Sequence, residues 1–222
     1  MDYQNFQQDL MQDTNARNRR MEKAITVSAD LFLQNGIEPV KMTDIADASG
    51  VGVATLYRYY GAKTGMVIAA MTYLWEQLKA MFDGVFESDV FTKQTGLKQL
   101  TDLMRMYLVL YDAHPDFMRL LAEFDQFIIR ENVPPAALAD YEKAVINFYP
   151  LFDTAYKTGI ADGTVREDFS FPLFYLTYAH AMMELTKKLL QGELLPSDDF
   201  SMGRKELETM IETAAFFVRK TG

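Results

Sequence analysis

A chain of 222 residues with 49% hydrophobic content can bury one sizeable core, or a small domain joined to a larger one, and is too apolar to be disordered throughout. It has no cysteine, which excludes a disulfide framework, a thiol nucleophile and a zinc–cysteine site, and no apolar run near the roughly 18 residues of a membrane span. The net charge of −9 excludes a uniformly basic nucleic-acid binder, so any DNA contact must be confined to one part of the chain.

Residues 1–14 hold no sustained period and are polar and acidic, unlike a secretory leader; they are expected to form a frayed N-terminal extension of a soluble, cytoplasmic protein. A first helix is predicted from about Ala16 to Asn35, with Met21, Ala24, Ile25, Ser28, Leu31 and Phe32 on its buried side and Gly36 as its stop. Arg17, Arg19 and Arg20 cluster at its start, either against phosphate or as a solvated face. Residues Lys41 to Lys63 then read as two short helices separated by Ala48-Ser49-Gly50-Val51, too little chain for a hairpin of long helices and suited to a helix-turn-helix. Met42, Ile45 and Ala46 share one face of the first, and Gly50 can take positive φ at the turn. In the second, Val53, Leu56, Tyr57 and Tyr60 repeat the helical spacing, with Leu56 and Tyr60 assigned to the core, while Ala54, Thr55, Arg58 and Tyr59 form an opposite side that is small, hydroxylic and aromatic with little charge and can approach a nucleic-acid groove.

This block resembles the DNA-binding end of the tetracycline-repressor (TetR) family of bacterial transcription regulators. The resemblance is carried by Ile45-Ala46, Ala48, Gly50-Val51, Thr55-Leu56-Tyr57, Tyr60 and Lys63, with a weaker match from about Arg19 to Trp75. It departs at Lys41, where the family usually has Ser or Thr, at Gly52, where Ser is frequent, and at Ala54, where Gly is frequent. Local chemistry offers Thr43 as an N-cap, whereas the resemblance puts Thr43 inside the first turn; the fit of Met42 to the apolar face favours the second placement. The residues expected to contact DNA are Lys41, Thr43, Val53, Ala54, Thr55, Tyr57, Tyr59 and Lys63. Charge agrees in sign: residues 1–14 carry three acids and no base, residues 15–70 seven bases against five acids, and residues 71–222 fifteen bases against twenty-three acids. Only the middle segment is positive.

The remaining chain is predicted to be helical throughout: about Lys63 to Phe82, Gly96 to Ala113, Asp116 to Arg130, Pro135 to Lys157, Phe171 to Gln191 and Gly203 to Lys220. His114-Pro115, Val133-Pro134-Pro135, Gly159 to Gly163 and Gly192 to Pro196 punctuate these helices, and no alternating run signals a strand. The fold class is therefore all-α, with an N-terminal three-helix DNA-binding domain at residues 15–62 and a helical ligand-binding and dimerisation domain at residues 63–222. The second domain is rich in bulky, adaptable side chains, and the resemblance implies a pocket among them for a small amphipathic or aromatic ligand. Met104, Tyr107, Phe124, Phe148, Phe152, Tyr175, Tyr178 and Met182 are its candidate lining, with Glu123, Asp125, His180 and Glu184 as polar wall candidates. The family's dimer uses its last two helices; here Leu173, Leu176, Ala179, Met183, Leu190, Leu207, Met210, Ile211, Ala214, Ala215, Phe217 and Val218 offer more apolar surface than one core needs.

Enzyme readings find little support. Gly50-Val51-Gly52-Val53-Ala54-Thr55 lacks the third glycine and the preceding strand of a phosphate-cradling loop. His114 and His180 are far apart in sequence and form no metal motif, Asp198-Asp199 is a lone acidic pair in a loop, and no motif marks a nucleophile; no cofactor and no metal are expected. The expected function is a homodimeric, non-enzymatic transcriptional repressor that a small organic molecule releases from a palindromic double-stranded operator. The rival class is an all-α apolar-ligand carrier or enzyme without DNA binding.

Overall fold

In the computed structural model the backbone is described for residues 3–192 and 195–221, and the side chains for residues 18–192 and 195–221. Within them the chain is helical: α1 (Tyr3–Asn35), α2 (Met42–Ser49), α3 (Val53–Tyr60), α4 (Lys63–Phe86), α5 (Asp89–Thr92), α6 (Gly96–Ala113), α7 (Pro115–Arg130), α8 (Ala139–Ala144), α9 (Tyr149–Ala161), α10 (Phe171–Gln191) and α11 (Gly203–Val218). A 3₁₀ turn at Pro135–Leu138 precedes α8, and a single antiparallel bridge joins Val165 to Arg219. The all-α reading is correct.

Several boundaries differ from those the sequence suggested. Helix α1 starts at Tyr3 instead of Ala16, since no proline or glycine interrupts residues 3–35 and nothing in the local chemistry stops a helix there. The expected helix from Pro135 to Lys157 is broken: α8 ends at Ala144, Val145 is extended, and α9 restarts at Tyr149 with Pro150 in its first turn. Pro150 supplies no N–H and disfavours helical backbone in the residue before it, so a continuous helix through it would lose its ladder. Helix α11 stops at Val218 because Arg166 and Lys220 donate backbone N–H groups to Val218 O and Thr164 O, at 2.9 and 3.1 Å, which draws the chain end into the bridge.

The chain divides into two compact units, residues 1–78 with 123–145, and residues 79–122 with 146–222. The expected boundary at residues 62 and 63 thus falls inside the first unit. In that unit α1 packs on α2 and α2 on α3. Ala24, Ala29, Phe32, Ile45, Leu56, Met66 and Met71 are buried there, with Ser28 closing its hydroxyl on Ile25 O at 2.8 Å. The loop after α1 is tied down by Glu123, whose Oε1 accepts the N–H groups of Ile37 and Glu38 at 2.8 and 3.2 Å. Glu123 therefore satisfies backbone donors of the loop after α1.

The second unit is built on α6, which packs against α9, α10 and α11. Helices α6 and α9 meet at Gly96 and Gly159, so closely that a Cβ on Gly96 would lie 2.0 Å from Gly159 N and 2.5 Å from Ala155 O. Gly96 N–H is held by Asp162 Oδ2 at 2.8 Å, which ties the start of α6 to the end of α9. Leu207, Ile211, Ala214, Ala215 and Val218 line the inner face of α11 and are buried within one copy of the chain. Those five were expected at a dimer face; α11 needs them for its own core.

Candidate nucleic-acid interface and ligand grooves

Helix α2 begins after Lys41, whose backbone is extended and whose N–H is accepted by Asp44 Oδ2 at 2.8 Å. Asp44 supplies the reverse half of a capping box in the first turn, where a carboxylate also meets the positive end of the helix dipole. Thr43 lies inside that turn and is exposed. Gly50, at φ +73°, ends α2 with its N–H on Ala46 O at 2.9 Å, a left-handed conformation that a side chain would strain. Ser49 Oγ accepts the N–H of Val51 at 3.3 Å, so a buried hydroxyl braces the turn.

Helix α3 then runs from Val53 to Tyr60, with Gly52 as an N-cap that supplies no side-chain acceptor. Of its residues Leu56 alone is fully buried. Val53 is 36% exposed and Tyr57 49%, Ala54 and Arg58 are exposed, and Thr55, Tyr59 and Tyr60 are half-buried. Burial raises the Tyr60 hydroxyl above its ordinary range, in keeping with its assignment inward. Arg58 lies over the Tyr59 ring, 5.4 Å from its centroid. The eight expected DNA contacts are thus on α2, α3 and the first residue of α4, with Lys41, Thr43, Val53, Ala54 and Tyr57 open to solvent. Lys63 is half-buried and already engaged: its Nζ donates to Glu38 O at 2.9 Å. Desolvation lowers its pKa, partly offset by Glu123, Glu131 and Asp44. An ammonium has three donors, so one bond to a carbonyl leaves others for a phosphate.

The expected ligand residues scatter more. Phe124 belongs to the first unit, fully buried against Tyr141 with ring centroids 4.9 Å apart; the other seven belong to the second. Met104 and Met182 are buried in that second core. Tyr107 is buried too, its hydroxyl donating to Ala179 O at 3.3 Å, and burial with a smaller contribution from Tyr175 pushes its pKa well above the usual tyrosine range. Phe152 and Tyr175 meet edge to face at 5.2 Å, and Tyr175 meets Tyr149 at 5.0 Å. Of the polar wall candidates, Glu184 is exposed and paired with Lys187 at 3.0 Å, and His180 is exposed. The loop carboxylates of Asp198 and Asp199 accept the N–H groups of Leu195 and Ser201.

Open space in the second unit lies elsewhere. A groove of about 330 Å³ is bounded by Phe82, Phe86, Phe91 and Met106, beside Gln94, whose Oε1 is buried with no hydrogen-bond partner among the described residues. Phe148 touches this cluster from behind, edge-on to Phe82 at 5.7 Å and Phe86 at 6.5 Å. Sequence reasoning missed the groove because α4 was stopped at Phe82; the Phe82 and Phe86 pair one helical turn apart was the available signal. A second groove, about 280 Å³, lies along α10 and α11 and includes Tyr178, Leu173 and Phe217. On the same two helices Leu173 is 65% exposed and Leu176 49%, while Phe216, which the sequence reading did not single out, is 71% exposed.

Comparison with known proteins agrees with this geometry. Residues 24–70 match the family described as bacterial regulatory proteins, tetR family. The chain is similar to the HTH-type transcriptional repressor KstR2 of Rhodococcus jostii (strain RHA1), at 23% identity over 163 residues that cover 73% of this chain and 76% of that protein. Among solved structures it resembles in fold a transcriptional regulator from Saccharomonospora viridis in complex with choline, with a TM-score of 0.67 at 16% identity, covering 92% of this chain and all of that one at 100%. It also resembles the regulator FadR from Bacillus subtilis in complex with stearoyl-CoA, with a TM-score of 0.58 at 18% identity, covering 86% of this chain and 97% of that one.

Proposed function

We propose that the chain is a member of the tetR family of bacterial regulatory proteins, whose model matches residues 24–70, and that it acts as a dimeric repressor whose grip on a palindromic operator is released by a small organic ligand. The observation that carries the reading is α3 itself: a helix anchored by buried Leu56 and presenting Val53, Ala54 and Tyr57 outward, joined to α2 through the left-handed Gly50. Val53 and Ala54 offer apolar contact to thymine methyls, and Thr55 reaches a base edge. Tyr57, Tyr59 and Thr43 bond phosphates through their hydroxyls, and Lys41 and Lys63 add charge. Function divides as residues 15–62 for DNA and residues 63–222 for ligand and partner.

Two copies pair through the outer faces of α10 and α11, which leave Leu173 and Leu176 on one helix and Phe216 and Phe217 on the other exposed. A two-fold dimer of this kind sets two recognition helices one helical turn of DNA apart, about 34–36 Å. A Leu173→Glu, Phe216→Glu double variant is expected to sediment as a monomer and to lose operator affinity; a dimer that persists at micromolar concentration would move the interface elsewhere.

The ligand of this reading is an apolar organic molecule bearing a hydrogen-bonding group, seated in the groove beside Phe86 and Phe91 with Gln94 as its polar contact. Known relatives of the fold bind molecules as different as choline and stearoyl-CoA, so the lining of this chain's own groove, and not its fold, sets the class. Release requires the ligand to prefer the state that fits DNA poorly, by about 1–3 kcal/mol for typical coupling.

Selection of bound sequences from random duplexes tests the whole. A palindrome with fixed half-site spacing is expected, and Thr55→Ala in the same selection should flatten the preference at one position. Enrichment of no sequence at low salt would instead favour the carrier or enzyme class. On the selected operator, Lys63→Ala should reduce the slope of log affinity against log salt by about one. An unchanged slope would leave Lys63 with its bond to Glu38 O alone.

A further inference from the structure

The first unit has a concave surface to which α2 and α3 contribute no residue. A groove of about 610 Å³ is lined by residues of α1 and α4 and by Ala137 and Asp140 of the segment around α8. Its apolar lining is Ile25, Ile68, Ala69 and Ala137, with Gly65 beside them. Three carboxylates stand at it, Glu22, Glu76 and Asp140. Asp140 is shared with Lys143 at 2.8 Å, while Glu22 and Glu76 enter no ion pair among the described residues. No lysine or arginine is part of the lining.

A volume of this size suits a small organic molecule, and an apolar wall beside uncompensated carboxylates concentrates cations and repels anions. DNA phosphate, acyl carboxylates and the chain's own first fourteen residues, with three acids and no base, all have the wrong sign. We propose that this groove binds an amphipathic organic cation, an amine or quaternary ammonium whose apolar body lies on Ile68 and Ala69 while its charge sits between Glu22 and Glu76. The site is separate from the ligand groove of the second unit. Tyr73, also in the lining, adds an aromatic ring that can stack on the cation.

The chain's single tryptophan provides the readout. Trp75 is buried next to Glu76 in sequence, and its Nε1 donates to the Tyr141 hydroxyl at 3.0 Å within the same unit. The full-length protein would be titrated with hexyltrimethylammonium, hexanol and hexanoate, following Trp75 fluorescence and heat of binding. Saturable binding of the cation, little or none of the carboxylate, and a dissociation constant raised roughly fivefold or more by Glu22→Gln with Glu76→Gln are expected. Ala69→Phe, which fills the floor, should abolish binding; if it lowers the melting temperature, the two near-isosteric charge changes carry the test alone. Hexanoate binding as tightly as the cation, an affinity indifferent to both glutamates, or capture of a basic amphipathic peptide but not the small cation would each overturn the proposal.

Discussion

Leu56→Ala is expected to destabilise the protein by about 2–5 kcal/mol and to remove operator binding at temperatures where the parent still binds. Helix α3 has eight residues, too short to persist by itself when isolated helices below about 12–15 residues are marginal in water. Its place is held by one fully buried side chain, Leu56, in a helix that packs on α2. Truncating Leu56 leaves a cavity where α2 and α3 meet and frees the surface that carries Val53, Ala54 and Thr55. Native proteins are stable by only about 5–15 kcal/mol, so a loss of this size matters. Urea unfolding together with duplex binding separates the effects: Thr55→Ala should spare the unfolding midpoint, and Leu56→Ala should lower it. A Leu56→Ala protein with parental stability and affinity would refute the anchoring role.

Gly96→Ala should be comparably severe and should act on the second unit. A methyl at that position would sit 2.0 Å from Gly159 N and 2.3 Å from Gly159 Cα, both backbone atoms that cannot rotate away. Relief requires α6 to move off α9, which would also stretch the Gly96 N–H bond to Asp162. Overpacking of side chains costs about 1–3 kcal/mol, and a clash with backbone should reach or exceed the top of that range. For a chain of this size 1 kcal/mol shifts the melting temperature by about 2–4 °C, so a fall of roughly 6 °C or more is expected by calorimetry. A melting temperature unchanged by Gly96→Ala would mean the two helices can separate freely.

The same contrast runs through the functional reading. The helix-turn-helix was legible because its signals are local: Met42 and Ile45 one turn apart, Gly50 where the chain reverses, and Leu56 one turn from Val53 and Tyr60. Helices α6 and α10 were also legible to the residue, each bounded by its own proline or glycine punctuation. The grooves of the second unit were not. Phe124 and Phe152 have the same composition signal, yet one packs on Tyr141 in the first unit and the other on Tyr175 in the second. An aromatic side chain announces that it will be buried and is silent about whether a void remains beside it.

The sequence by itself determined the all-helical class and the helix-turn-helix around Gly50, because helical periodicity and left-handed turns depend on neighbours within a few positions. Tertiary structure alone decided that Glu123 serves the backbone of Ile37 and Glu38, that Lys63 bonds Glu38 O, and that Ala214 and Ala215 belong to their own core. It alone decided too that carboxylates from α1, α4 and α8 share one groove. These outcomes join residues 25 to 118 positions apart, and which distant faces meet is set by the packing of whole helices, a quantity no local pattern contains.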